Sequence, residues 1–233
     1  MAAVGTSSGT YGFAPPTGDL IVAAYRRVKI HRSELVTEHF ADAKMELNLL
    51  QVSWANLGPL LWTVDTQSVT LTAGQAIYSV PANTVMILDA YTSTPNGDGT
   101  NTDTLITPLS RTEYASMPDK AEQGGVTSFW FDRQISPTVT LWQVPNGQVP
   151  TVKYYRFTQV QDAAVANGGT PQVPYLALDA YVAGLAHRLA RIYAPDLEAA
   201  READAVKATN LMFNQLVENV PLFVTPQSAS YWR

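Results

Sequence analysis

One stretch constrains the fold more than any other. Between Thr37 and Leu57, the residues Phe40, Ala43, Leu47, Leu50, Trp54 and Leu57 recur at steps of three, four, three, four and three. On an α-helix those positions share one face. Thr37 suits the N-cap, and Glu38 in the first turn is favoured by the helix dipole. Gly58 followed by Pro59 ends the run. About 20 residues at about 1.5 Å each give a rod near 30 Å long. An apolar stripe of that length is not stable alone in water, so the chain must supply helical partners.

Three further segments qualify as partners. Asp19 to Ile30 places Leu20, Ile21, Ala24, Tyr25 and Val28 on one face, with Thr17 or Asp19 as a cap. Pro174 to Tyr193 places Leu178, Tyr181, Leu185, Leu189 and Ile192 together, and Pro174 suits the first helical position. Ala177, Ala180 and Gly184 on that segment allow a second helix to approach closely. After Pro195 and Asp196 a fourth helix runs to about Val220, with Ala199, Ala203, Val206, Phe213, Val217 and Val220 on one side, and Pro221 stops it.

From Leu60 to Val160 the pattern changes to short runs rich in β-branched and aromatic residues. These are Val69 to Leu71, Ala76 to Val80, Val85 to Tyr91, Thr104 to Thr107, Ser128 to Phe131, Val139 to Val144 and Thr151 to Gln159. Turn chemistry separates them, as at Ala73-Gly74, Pro95-Asn96-Gly97 and Pro145-Asn146-Gly147. Seven short strands in about a hundred residues predict a small antiparallel β-sandwich or barrel, interrupted by a short helix from Ser110 to Met117. The fold class is therefore α+β: a four-helix bundle with the β-domain inserted between helices 2 and 3. The expected units are an extended arm over 1–18, helices over 19–59, the β-domain over 60–172, helices over 173–220 and an extended tail over 221–233.

Composition narrows the function. Charged residues are only 15% of the 233, against about 25% in an ordinary globular chain, so neighbouring subunits are expected to cover much of the surface. The net charge is −5. The densest basic stretch is Arg26, Arg27, Lys29 and Arg32, too little for tight phosphate-backbone binding. The absence of cysteine removes disulfides and thiolate metal sites. No apolar run approaches the length of a membrane span. Met1 to Pro16 lacks a positive start and a long apolar centre, and reads as an arm rather than a signal peptide.

No cofactor, metal or catalytic site is expected. His31, His39 and His187 are not at ligand spacing from one another. The loop Asn96-Gly97-Asp98-Gly99-Thr100-Asn101-Thr102-Asp103 has oxygens at alternate positions but lacks the distant bidentate Glu of a calcium loop. It reads as a polar hairpin tip, with Asn96, Asp98 and Asn101 placed to touch a neighbour. Glu34, Glu38, Asp42 and Glu46 stand at four-residue steps. They read as the solvent face opposite the apolar stripe, although such a row can also bring two carboxylates together. Gly124-Gly125 is not followed by the Lys-Ser or Lys-Thr of a phosphate loop. Tyr154-Tyr155-Arg156-Phe157 reads as a core strand rather than a base-stacking platform, because strand neighbours point to opposite faces.

Three stretches together resemble the head-to-tail adaptor family of short-tailed phages, the group that includes tail tubular protein A. They are Asp19 to Ile30 with Glu46-Leu47-Asn48-Leu49-Leu50-Gln51-Val52-Ser53-Trp54; Thr107 to Tyr114 with Phe129-Trp130-Phe131-Asp132 and Leu141-Trp142-Gln143-Val144-Pro145; and Pro174-Tyr175 through Leu185-Ala186-His187-Arg188-Leu189-Ala190-Arg191-Ile192-Tyr193. Their order and spacing carry the likeness over Asp19 to Tyr193. Gly124 to Ser128 departs from it, since a proline is expected before the aromatic strand.

The resemblance implies a non-enzymatic virion protein at the head–tail interface, assembled in the host cytoplasm. It implies a ring of twelve copies between the portal protein and the tail nozzle, with genomic double-stranded DNA passing through the lumen without sequence-specific binding. A terminal segment that grips the portal is also implied, and Phe223, Tyr231, Trp232 and Arg233 fit that role. Two alternatives differ in class. A virion-associated peptidoglycan hydrolase would use two of the four acids of the Glu34 row. A carbohydrate-binding tail module would carry exposed aromatics on the β-domain.

Overall fold

A computed structural model describes residues 9–58, 60–164 and 168–215. In chain order the elements are α1 (Thr17–Arg27), α2 (Thr37–Leu57), β1 (Val64–Thr70), β2 (Ile77–Ser79), β3 (Thr84–Pro95), β4 (Asn101–Leu109), α3 (Arg111–Ser116), β5 (Gln123–Gly124), β6 (Ser128–Asp132), β7 (Thr138–Trp142), β8 (Val144–Pro145), β9 (Thr151–Thr158), α4 (Leu178–Tyr193) and α5 (Glu198–Gln215). The protein is α+β, with five helices and one curled seven-stranded sheet among the described residues.

Helix α4 packs against α1, α2 and α5. Leu178, Tyr181, Leu185 and Leu189 are buried as the spacing predicts, whereas Ile192, expected on the same face, is exposed at the end of the helix. Ala180, Ala183, Gly184, Ala186 and Ala190 are buried too, so α4 is enclosed around most of its circumference. A Cβ on Gly184 would lie 2.8 Å from both δ-carbons of Leu50, so the missing side chain sets how closely α2 and α4 approach. Helix α2 has the predicted bounds and buries Ala43, Leu47, Leu50 and Trp54. Its stripe runs out at the end, where Leu57 is exposed.

Three helical details differ from the sequence reading. Val36, not Thr37, occupies the N-cap of α2, and its N–H donates to His39 Nδ1 at 3.3 Å. Helix α1 starts at Thr17, behind Pro16, and neither Thr17 nor Asp19 caps it. It stops at Arg27 because Lys29 takes a positive φ of 64°. Helix α5 turns a different face inward: Ala205, Ala208 and Met212 are buried, while Ala199, Ala203 and Val206 are exposed. Alanine is so frequent on α5 that two faces compete on periodicity, and the contact with α4 selects one.

The sheet order is β1-β9-β3-β4-β6-β7-β2. The expectation of a purely antiparallel domain is corrected at two pairs: β4 and β6 run parallel, with Thr107 opposite Ser128, and β5 and β8 pair in parallel as a separate two-stranded sheet. A parallel pair needs a crossover, and α3 and β5 lie on the one between β4 and β6. Ser110 caps α3 as a capping box, its hydroxyl accepting from Glu113 N–H at 3.2 Å and its own N–H donating to the Glu113 carboxylate at 2.7 Å. The β3–β9 register slips twice, between Thr84 and Met86 and between Ile87 and Asp89, which bends the sheet. A second apolar core fills the curl, built on Tyr78, Ile87, Ile106, Phe129, Leu141 and Tyr154. Phe157, near the end of β9, belongs instead to the helical core, so the sheet contributes a residue to that core.

Strand β1 begins at Val64, five residues before the predicted run, because Asp65, Thr66, Gln67 and Ser68 mask it as polar. Asp65 lies opposite Arg156. Arg156 is 5% exposed and grips Asp65 with two bonds, Nε to Oδ1 at 2.6 Å and Nη2 to Oδ2 at 2.9 Å. Its Nη1 donates to Asn83 Oδ1 at 3.0 Å and Thr84 Oγ1 at 2.9 Å. This fork ties β1 and β9 to the start of β3, and holds the Asp65 carboxyl below the usual range.

Candidate interaction surfaces

The row of acids does not form the expected solvent face. Glu34 is not on α2: it lies in a short 3-10 turn, Arg32–Glu34, where its carboxylate accepts the His31 N–H at 2.6 Å. Asp42 accepts a hydrogen bond from the Tyr193 hydroxyl. Glu46 pairs with Arg188 at 3.2 Å. Asp42 and Glu46 thus bridge the antiparallel α2 and α4, and Glu38 stays exposed at the start of α2. The periodicity placed Asp42 and Glu46 beside the stripe, and only the position of α4 shows that they face a helix.

Around this seam Tyr25, His39 and Tyr193 pack as a ring cluster. His39 stacks on Tyr193 at 5.0 Å, and Tyr25 meets both edge-on. The Tyr25 hydroxyl donates to the His39 carbonyl at 2.7 Å, and burial pushes its pKa well up. His187 lies on α4 beside Arg191, 3.3 Å away, and burial followed by the Arg191 charge pulls its pKa down. Among the described residues no group of three or more His, Asp or Glu is arranged to hold a metal.

The polar loop closes as the tip of the β3–β4 hairpin, with Pro95 opposite Asn101. Its oxygens serve the turn. Asp98 Oδ1 accepts the Thr100 N–H at 2.8 Å and the Thr100 hydroxyl at 2.6 Å, which holds the Asp98 pKa low. Asn96 donates to Thr100 Oγ1 and accepts from Thr102 Oγ1. Gly97 and Gly99 take positive φ values of 77° and 87°, which suit residues without a Cβ. Asn96, Asp98 and Asn101 are brought together on an exposed projection.

A second apolar face on α2 escaped the heptad count. Met45, Leu49 and Val52 are 61%, 45% and 51% exposed, on the side opposite the buried stripe. A helix that is apolar on both sides is ordinarily buried on both. On α5, Val206 and Leu211 are likewise exposed. Within Gly124 to Ser128, where the likeness to adaptors departs, a Cβ on Gly124 would collide with the Gln143 side chain, while one on Gly125 would meet nothing. Phe223, Tyr231, Trp232 and Arg233 lie outside the described residues. No described helix is long and apolar enough to cross a membrane.

A family model described as SU10 adaptor protein matches residues 16–224, nearly the whole chain. The protein belongs to that family, a family of phage head-to-tail adaptors, and is a structural adaptor of the virion. No curated protein matches it.

Proposed function

We propose that the chain forms a ring, of twelve copies, between the portal and the tail nozzle, with double-stranded DNA passing through its centre. Membership of the adaptor family carries this reading. The outer face of α2 supports it, because Met45, Leu49 and Val52 leave an apolar stripe in water that a neighbouring subunit can cover. In this reading 19–59 and 173–220 act together as a four-helix body of the ring, 60–172 is the inserted β-domain, and 221–233 grips the portal through Phe223, Tyr231, Trp232 and Arg233. The hairpin tip at Asn96, Asp98 and Asn101 touches a neighbouring subunit or the nozzle. The net charge of −5 suits a lumen to which DNA does not adhere. Mass photometry of the full-length chain with and without the portal ring tests the proposal. A ring-sized species on the portal is expected; a chain that stays monomeric with portal present refutes it.

A further inference from the structure

Among the described residues the sheet is open along β1 and along the three-residue β2, and β4 has a further open stretch before β6 joins it. The two longer edges, on β1 and β4, are comparable in length. Their hydrogen-bonding directions follow from single bonds at their ends. The Leu71 N–H donates to the Pro150 carbonyl at 2.8 Å, so Leu71 faces the β9 side. Bonding alternates along an antiparallel pair, so Val69, Gln67 and Asp65 also bond toward β9. Thr66, Ser68 and Thr70 therefore aim their N–H and C=O groups outward, and all three are exposed.

The same reasoning applies to β4. The Asn96 N–H donates to the Thr100 carbonyl at 2.9 Å, and the register then sets Thr102, Thr104 and Ile106 toward β3. Asn101, Asp103 and Leu105 point the other way. Thr107, next in that series, donates to the Thr127 carbonyl at 3.0 Å where β6 joins. Before that point β4 has β3 on one side and, among the described residues, no strand on the other, so its outer edge is open at Asn101, Asp103 and Leu105.

We infer that these two edges pair with each other between copies: β4 of one subunit, at Asn101 to Leu105, adds to β1 of the next, at Thr66 to Thr70. This inference rests on the ring reading and names one of its contacts. Both edges offer outward groups at three alternate positions over about 13 Å, so they match in length. Each copy carries one of each, so a head-to-tail contact satisfies both, and a head-to-tail contact is the kind from which a closed ring is built. Neither edge carries the Lys or Pro that most often guards an exposed strand. The segments Val64–Thr70 and Asn101–Ile106 hold neither residue, and the β1–β9 register runs without a bulge. Charge permits the pairing, because Asp65 is already neutralised by Arg156 and Asp103 then meets Thr and Ser side chains. Leu105, 72% exposed on this edge, gains cover from it.

Proline at an outward position removes an edge donor and leaves the internal ladder intact. Sedimentation velocity on the full-length chain, alone and with the portal ring, would compare the wild type with Ser68→Pro, Asp103→Pro and their equimolar mixture. The expected result is a ring for the wild type, monomers for each variant with unchanged circular dichroism, and a dimer as the largest species in the mixture. Rings from both variants would overturn the edge pairing and leave the ring reading standing. Assembly by Asp103→Pro alone would show β1 pairing with β1, which also overturns it. A wild type that stays monomeric on the portal overturns the ring reading and this inference together. Should Ser68→Pro fail to fold, Ser68→Lys, which adds a guarding charge to the same edge, replaces it and is expected to lose the ring as well.

Discussion

The helical layer and the sheet solve packing in different ways. Around α4 the chain uses small residues to bring helices together, and the buried Gln51 is satisfied within that layer, its Nε2 donating to the Tyr181 hydroxyl at 3.3 Å. Burial pushes the Tyr181 pKa up to about 12, so that hydroxyl stays neutral at any ordinary pH. The sheet closes over a smaller core, is held by a long-range charged fork at Arg156, and keeps open edges. The contrast separates two kinds of substitution. Changes in the helical core should cost folding stability, whereas changes on the hairpin should leave a single copy unaffected and act on assembly.

The largest effect should come from Trp54, buried on α2 and 6.0 Å from the Tyr181 ring. Trp54→Ala is expected to cost about 3–5 kcal/mol in urea unfolding, by lost burial and the cavity left behind. Because Phe157 of β9 is buried in the helical core, helical and sheet signals should fall together. Separate transitions would break the comparison by showing that the sheet stands without the helices.

A smaller effect is expected at Arg156. Arg156→Ala leaves Asn83, Thr84 and Asp65 without their donor, and about 1–3 kcal/mol should be lost. Asp65 also makes stability depend on pH. Its folded pKa lies below the unfolded value, so the stabilisation is complete above the unfolded carboxylate pKa and disappears as pH falls through the folded one. Thermal melts over an acid series should show this loss in the wild type and a weaker one in Arg156→Ala. Equal acid limbs would remove the fork from the account of the sheet.

The smallest effect should be at the hairpin tip. Asp98→Ala removes two bonds inside an exposed turn, and no measurable shift of the melting midpoint is expected. A large shift would place the tip within the cooperative core and erase the distinction between the regions.

Much of the helical layer was legible beforehand. The α2 stripe announced a buried face and the small residues of α4 a close approach by some other helix, since 3.6-residue periodicity reports directly on a buried face. The failures share one cause, which is that a local pattern does not name its partner. Alanine on both sides of α5 left its inward face undecided until α4 chose it. The acids at Asp42 and Glu46 read as solvated until α4 supplied Tyr193 and Arg188. Polar alternation concealed the first half of β1, because an edge strand exposed to water needs little apolar signal.

The sequence alone determined the helix positions, the hairpin tip and the adaptor family, because periodicity, turn chemistry and ordered motifs are written in neighbouring residues. The tertiary structure decided the parallel β4–β6 pair, the Arg156 fork and the open edges on β1 and β4. Those depend on which distant segments meet, and 91 positions separate Asp65 from Arg156.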